Sequence, residues 1–198
     1  MCYVNLENFF DRAHCILMVS TVNKRRAQWD EGLPPLPSSD RRPNALSIFN
    51  EYADRLLVEW IRRRELPNTR RSESANSWFK REAYRLIRHY LETGNLAKIS
   101  HNLTVDKRPN RLVDEATKNP FKLGLLAMFS DESISRSDRH VFGNQMLYAW
   151  YHDVPAHYLN AFLAISGGPG VIADKLKEQY VEPGFESYVR PERLNYSL

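Results

Sequence analysis

Apolar residues recur every three to four positions along most of this chain, the spacing that lines one face of an α-helix. Phe49, Ala53, Leu56, Leu57, Trp60 and Ile61 form one such stripe, with Asn44 placed as an N-cap and Pro67 stopping the helix soon after it. Phe79, Ala83, Leu86, Ile87, Tyr90 and Leu91 form a second, which predicts a helix from about Asn76 to Thr93 closed by Gly94 as a left-handed cap. Further helices are expected at about 111–118, at 120–129 with Pro120 as the first residue, and at 138–151, 154–165 and 170–180. No alternating run of β-branched residues competes, and no fixed period recurs. The pattern therefore predicts an all-α, compact multi-helix globular domain rather than a solenoid.

Two flanks differ from this body. Leu6, Phe9, Phe10, Ala13, Ile16 and Leu17 recur at helical spacing and predict an N-terminal helical arm over 1–32. Pro34, Pro35, Pro37 and Pro43, with Ser38 and Ser39, cannot continue a helix, so 33–44 reads as a Pro-rich linker to a main domain over 45–198. Pro34 and Pro37 also make a PxxP pair, a pattern that chance supplies often. After Val181, Pro183, Gly184 and Pro191 alternate with Phe185, Tyr188, Val189, Leu194 and Tyr196. Such an extended C-terminal segment either staples itself to its own core or docks on a partner.

At 198 residues, 23.2 kDa and 42% hydrophobic content the chain has the apolar material for one domain, which excludes global disorder. Cys2 and Cys15 provide neither a disulfide framework nor the spacing of a zinc knuckle. No apolar run reaches the roughly 18 residues of a membrane span, and the first residues lack a secretory pattern. The expectation is a cytoplasmic, intracellular protein without a membrane partner.

Charge changes the picture. The net charge is +4, but it is unevenly spread: from Thr21 to Arg111, 19 Lys and Arg stand against 11 Asp and Glu, a net +8, while residues 112–198 carry −3. Clustered cations gain entropy by releasing the counterions condensed on a polyanion. Along the first long helix Glu51, Arg55, Glu59 and Arg63 alternate in sign every four residues, as on a solvated, self-paired face, and Arg62–Arg64 suit the helix C-terminus. On the second, Arg81, Arg85 and Arg88 share one face with Lys80 and Tyr84, and Arg70 and Arg71 precede it. A like-charge row of this kind calls for an anion, and Trp78 and Tyr84 are candidates to stack on bases of a single strand.

Leu96 to Asp106 resembles the first helix and turn of a helix-turn-helix motif, with Ser100 as the small residue after Ile99 and Leu103 and Val105 bracing the turn. The resemblance implies a basic second helix bringing Lys107, Arg108, Arg111 and Lys118 to a nucleic-acid backbone. Thr104 stands where glycine is common, and Pro109 fits only the first turn of that helix; the plainer alternative is a connector between core helices.

His152 and Asp153 resemble the centre of an HD-type metal phosphohydrolase, which would imply His101 or His140 upstream and Asp174 downstream as further ligands. Pro155 departs from that pattern, and Asp153 is better placed as an N-cap for a helix starting near Pro155. His152 and His157, five apart, do not share a helical face. Gly167-Gly168-Pro169-Gly170 lacks the lysine and hydroxyl of a phosphate loop and reads as a helix stop and restart. No catalytic residue, metal or cofactor is assigned. The sequence thus points to a non-enzymatic nucleic-acid-binding protein, for DNA or RNA, within a larger nucleoprotein assembly. The alternative is an adaptor or inhibitor that docks on a protein partner through its aromatic C-terminal segment and basic face.

Overall fold

The computed structural model describes residues 45–65, 73–94, 103 and 109–186. The arm over 1–32, the linker over 33–44, most of the helix-turn-helix-like stretch and the chain after 186 lie outside them. Among the described residues there are seven α-helices, one 3₁₀ turn and no strand. We label them α1 (Ala45–Glu65), α2 (Ala75–Glu92), α3 (Asn110–Thr117), α4 (Pro120–Met128), α5 (Arg136–Tyr151), α6 (Leu159–Ser166) and α7 (Pro169–Lys177), with the 3₁₀ turn Ala156–Tyr158 ahead of α6.

Local chemistry sets the boundaries. The Ser74 side chain accepts from the Ser77 amide at 3.1 Å to open α2, and Gly94 follows the helix at φ 71°, a left-handed position that glycine occupies without strain. Asn119 opens α4 by accepting from the amides of Phe121 and Lys122, with Pro120 preset for the first turn. Ser135 opens α5, where Asp138 in the first turn also suits the helix dipole. Gly167, at φ 110°, ends α6, and the chain restarts as α7 at Pro169.

The predicted stripes supply most of the buried faces of α1 and α2: Phe49, Ala53, Leu56 and Trp60 on one, joined by Tyr52, and Phe79, Ala83, Leu86, Ile87 and Tyr90 on the other, joined by Trp78, with Leu57 and Leu91 only partly buried. Between them and α5 lies α4, apolar nearly all round, which is the signature of a helix buried on every side. Its Phe121 and Leu125 belong to a large aromatic core, in which Trp60 stacks on Phe79 at 4.2 Å and Phe79 meets Phe129 and Phe142. Its Leu123, Leu126 and Ala127 belong to a second core with Phe49, Tyr52, Leu86, Tyr90 and Leu103. Full burial of side chains this size contributes about 1.5–3 kcal/mol each, so α4 is the spine that joins both cores.

Three details depart from expectation, and one settles between two alternatives. Ile61 is 46% exposed, and Arg63 takes the inward place at the end of α1, its guanidinium 4.3 Å from the Trp78 ring centre. The stripe Glu51–Arg63 is therefore solvated only at its start, where Glu51 pairs with Arg55; Arg63 pairs with Glu59 under cover of Trp78. Asp153 caps no helix: it sits at φ 52° in a tight turn, and Pro155 precedes the 3₁₀ turn instead. Phe185, the first aromatic of the C-terminal segment, is buried against Phe162 and His152, so the described part of that segment is stapled to the core.

Candidate nucleic-acid interface

The arginine row on α2 is an internal clamp. Arg81 reaches Glu73 at 2.9 Å and Glu82 at 3.0 Å. Arg85 lies 3.1 Å from Glu82 and donates to the Tyr52 hydroxyl on α1. Arg88, only 17% exposed, spans Glu92 at 2.8 Å, Asp153 at 2.9 Å and the Val154 carbonyl at 2.6 Å, tying α2 to the turn after α5. Burial opposes the charge on Arg85 and Arg88, but Tyr52 and Glu82, and Tyr84 and Glu92, outweigh it and hold both guanidinium groups above their ordinary range. Burial likewise pushes the Tyr52 hydroxyl up to about 12, against the pull of Arg85. A cation already matched by carboxylates has little left to offer a phosphate.

The neighbours of that row face inward as well. Lys80 donates to Gln145 on α5 at 3.1 Å, and burial holds its ammonium below the usual lysine range. Trp78 is 1% exposed and Tyr84 is fully buried, its hydroxyl donating to the Val154 carbonyl at 2.7 Å and its ring stacked on Phe121. Neither offers a face to a base, because each is part of the aromatic core. Arg70, Arg71, Lys107 and Arg108 lie outside the described residues. Arg111, 81% exposed at the start of α3, makes one loose pair with Glu115 at 3.5 Å.

A groove of about 860 Å³ opens elsewhere, between α3, α4 and α5. Leu112, Ala116 and Leu126 form its floor, and Arg111, Lys118, Lys122, Arg136, Arg139 and His140 surround it against Asp114 and Glu115. Two of these cations are committed: Arg136 to Glu115 at 2.8 Å, and the buried Arg139 to Asp131 at 2.6 Å. Lys118 and Lys122 have no carboxylate within ion-pairing distance among the described residues. The stem of Lys122 lies across Gly143 of α5, where a Cβ would stand 2.5 Å from its Cγ. Only glycine lets α5 come this close, and burial lowers the Lys122 ammonium from its ordinary range, with Glu115 acting the other way. The charge count along the sequence hides this cluster, since most of it falls in the acidic half. The one sequence signal for it is Asn119-Pro120, the cap that fixes where Lys122 leaves α4.

The His152–Asp153 pair is structural. The His152 Nδ1 proton goes to the Tyr148 carbonyl at 2.7 Å while Nε2 accepts from the Glu182 amide at 3.0 Å, so both ring nitrogens serve the backbone. Asp153 is held by Arg88, Asp174 pairs with Lys177, and His140 lies on the groove. No group of three or more His, Cys, Asp or Glu side chains arranged for a metal occurs among the described residues. No described helix is long and apolar enough to cross a membrane. Comparison with protein-family models, with curated proteins and with solved structures gives no match to this chain.

Proposed function

We propose that the protein is a non-enzymatic nucleic-acid-binding protein whose phosphate contacts come from the α3–α4–α5 groove and the basic segments beside it in sequence. The carrying observation is the pair Lys118 and Lys122, which face the groove without carboxylate partners while the arginines of α2 are matched within the fold. An ammonium without a carboxylate partner is free to neutralise a phosphate and so release the counterions condensed on the polyanion, which is the source of salt-dependent affinity. Arg111 stands at the groove's edge, and Lys107 and Arg108 come four and three positions before it in sequence. Arg70 and Arg71 add to the basic flank of the reading. The protein-adaptor alternative gains nothing from the described part of its docking segment, because Phe185 is spent on the core.

The test is binding of labelled single- and double-stranded DNA and RNA across a salt series. Each phosphate contact leaves a slope of about 0.7–0.9 in log affinity against log salt. Lys118→Gln and Lys122→Gln together are expected to lower the slope by about 1.4–1.8, two contacts' worth. Arg81→Ala is expected to leave the slope unchanged. An undiminished slope in the double lysine variant overturns this reading, as does the absence of binding to all four polymers at low salt.

A further inference from the structure

One titratable side chain in the groove, His140, meets a chain of side-chain amides that favours its neutral form. Asn119 caps α4 through Oδ1, which accepts from the amides of Phe121 and Lys122 at 3.0 and 3.1 Å. Its amide nitrogen is thereby left to donate, to the Gly143 carbonyl at 3.2 Å and towards Asn144 Oδ1 at 3.5 Å. Asn144 then turns its own amide nitrogen to His140 Nε2 at 3.2 Å. A histidine that accepts at Nε2 is neutral and carries its proton on Nδ1. The charged groups facing the ring agree with that state: Lys122 from α4 and Arg136 from α5 repel a proton, and Glu115 from α3 attracts one. Arg111, Asp114, Lys118 and Arg139 complete the charged lining. Burial and Lys122 accordingly hold the imidazole below its ordinary range.

An anion in the groove reverses this balance, because it supplies the opposite charge that the ring lacks. Admitting the proton costs little in structure. The Asn144 side chain must turn its Oδ1 to Nε2 and swing its amide nitrogen clear of the Asn119 amide nitrogen, giving up a 3.5 Å contact that is long for a hydrogen bond, while Asn119 keeps the Gly143 carbonyl. We infer that His140 takes up a proton when a nucleic-acid phosphate occupies the groove, so that binding tightens as the solution turns mildly acidic. The inference rests on the nucleic-acid reading above.

The probe is a rhodamine-labelled single-stranded DNA of about 12 nucleotides, made without a terminal phosphate because that group itself titrates near pH 6. Its anisotropy is followed with the full-length protein at constant salt. The Kd of the wild type is expected to rise about three- to tenfold between about pH 6 and pH 7.5, and His140→Gln, a surface change, is expected to remove most of that rise. The same rise in His140→Gln, or a wild type indifferent to pH, overturns the inference and leaves nucleic-acid binding standing. No binding by the wild type at pH 6 and low salt overturns both. In the DNA-free protein Lys122→Gln is expected to raise the midpoint of the His140 ring signal in an NMR titration; an unmoved midpoint removes the physical basis of the coupling.

Discussion

Gly124 is the point at which the spine helix touches its neighbour, and replacing it measures how tightly that contact is made. A Cβ on Gly124 would lie 2.7 Å from both Cγ1 and Cδ1 of Ile87 and 3.2 Å from its Cγ2. Carbon atoms are best placed about 3.5–4.0 Å apart, so three atoms of one branched side chain are driven into repulsion together. Ile87 is fully buried and stiff at χ1, and cannot swing away. Overpacking of this kind costs about 1–3 kcal/mol, against which alanine returns about 0.5–1 kcal/mol of helix propensity. The midpoints of these ranges leave Gly124→Ala destabilising by about 1 kcal/mol, lowering Tm by roughly 2–4 °C for a chain of this size. Ile87→Ala alone should cost about 2–5 kcal/mol, but it removes all three clashing atoms. In that background Gly124→Ala should turn stabilising by about 0.5–1 kcal/mol, because only its propensity gain remains. Urea and thermal denaturation of the four proteins, followed by far-UV circular dichroism, close the cycle. A Gly124→Ala variant as stable as the wild type, or additive effects in the double variant, would refute the claim that α2 and α4 are locked at this crossing.

Other outcomes follow from single contacts. Asn119→Ala removes the cap of α4 and its tie to Gly143, and should cost about 1–2 kcal/mol by denaturant titration; Asn119→Asp should recover the cap but not the tie. Arg88→Met strips the Asp153 turn of its anchor and is expected to lose about 1.5 kcal/mol, with faster amide exchange at Asp153 and Val154 as the local readout. Tyr52 ionises near 10 when unfolded but only at about 12 in the fold, so the folded state holds its proton longer. Stability should therefore fall as pH rises between these values, and Tyr52→Phe should flatten that fall in denaturation curves.

Helix positions and caps were legible because they depend on residues within a few positions of one another. Gly94, Pro120 and Gly167 act locally, as do the Ser74 and Asn119 caps that the sequence reading did not single out, and the apolar stripes of α1 and α2 project directly onto the core. The end of α1 was less legible, since Arg63, three positions after Trp60, continues a helical face as well as Ile61, four positions after Leu57, does. A long arginine can lie over Trp78 with its charge kept on Glu59, and burying that stem and ring satisfied both. Asp153 misled for the opposite reason: its partner Arg88 is far away in sequence, and no local pattern shows the turn they share.

The same distinction between local and distant partners decides the charged site. Counting signs along the chain makes Arg81, Arg85 and Arg88 the most basic surface, because Glu82 and Glu92 look too few, while Glu73, Tyr52 and Asp153 do not enter the count. In the fold each guanidinium meets two or more acceptors. That is a consequence of the group: a planar fork with five donors is readily satisfied at half-buried crossings between helices, so such arginines become staples. An ammonium on a flexible stem is a compact, strongly hydrated point charge with less to gain there. Lys118 and Lys122 accordingly remain at the rim of the groove, in a stretch whose net charge is negative. In a helical domain of this kind, a row of arginines opposite an aromatic core is weak grounds for a phosphate site, and lysines left unmatched beside a cavity are better ones. Exchange of the two residue types tests that argument within this chain: Lys122→Arg should keep DNA affinity, whereas Arg88→Lys should loosen the fold while leaving the salt slope where it was.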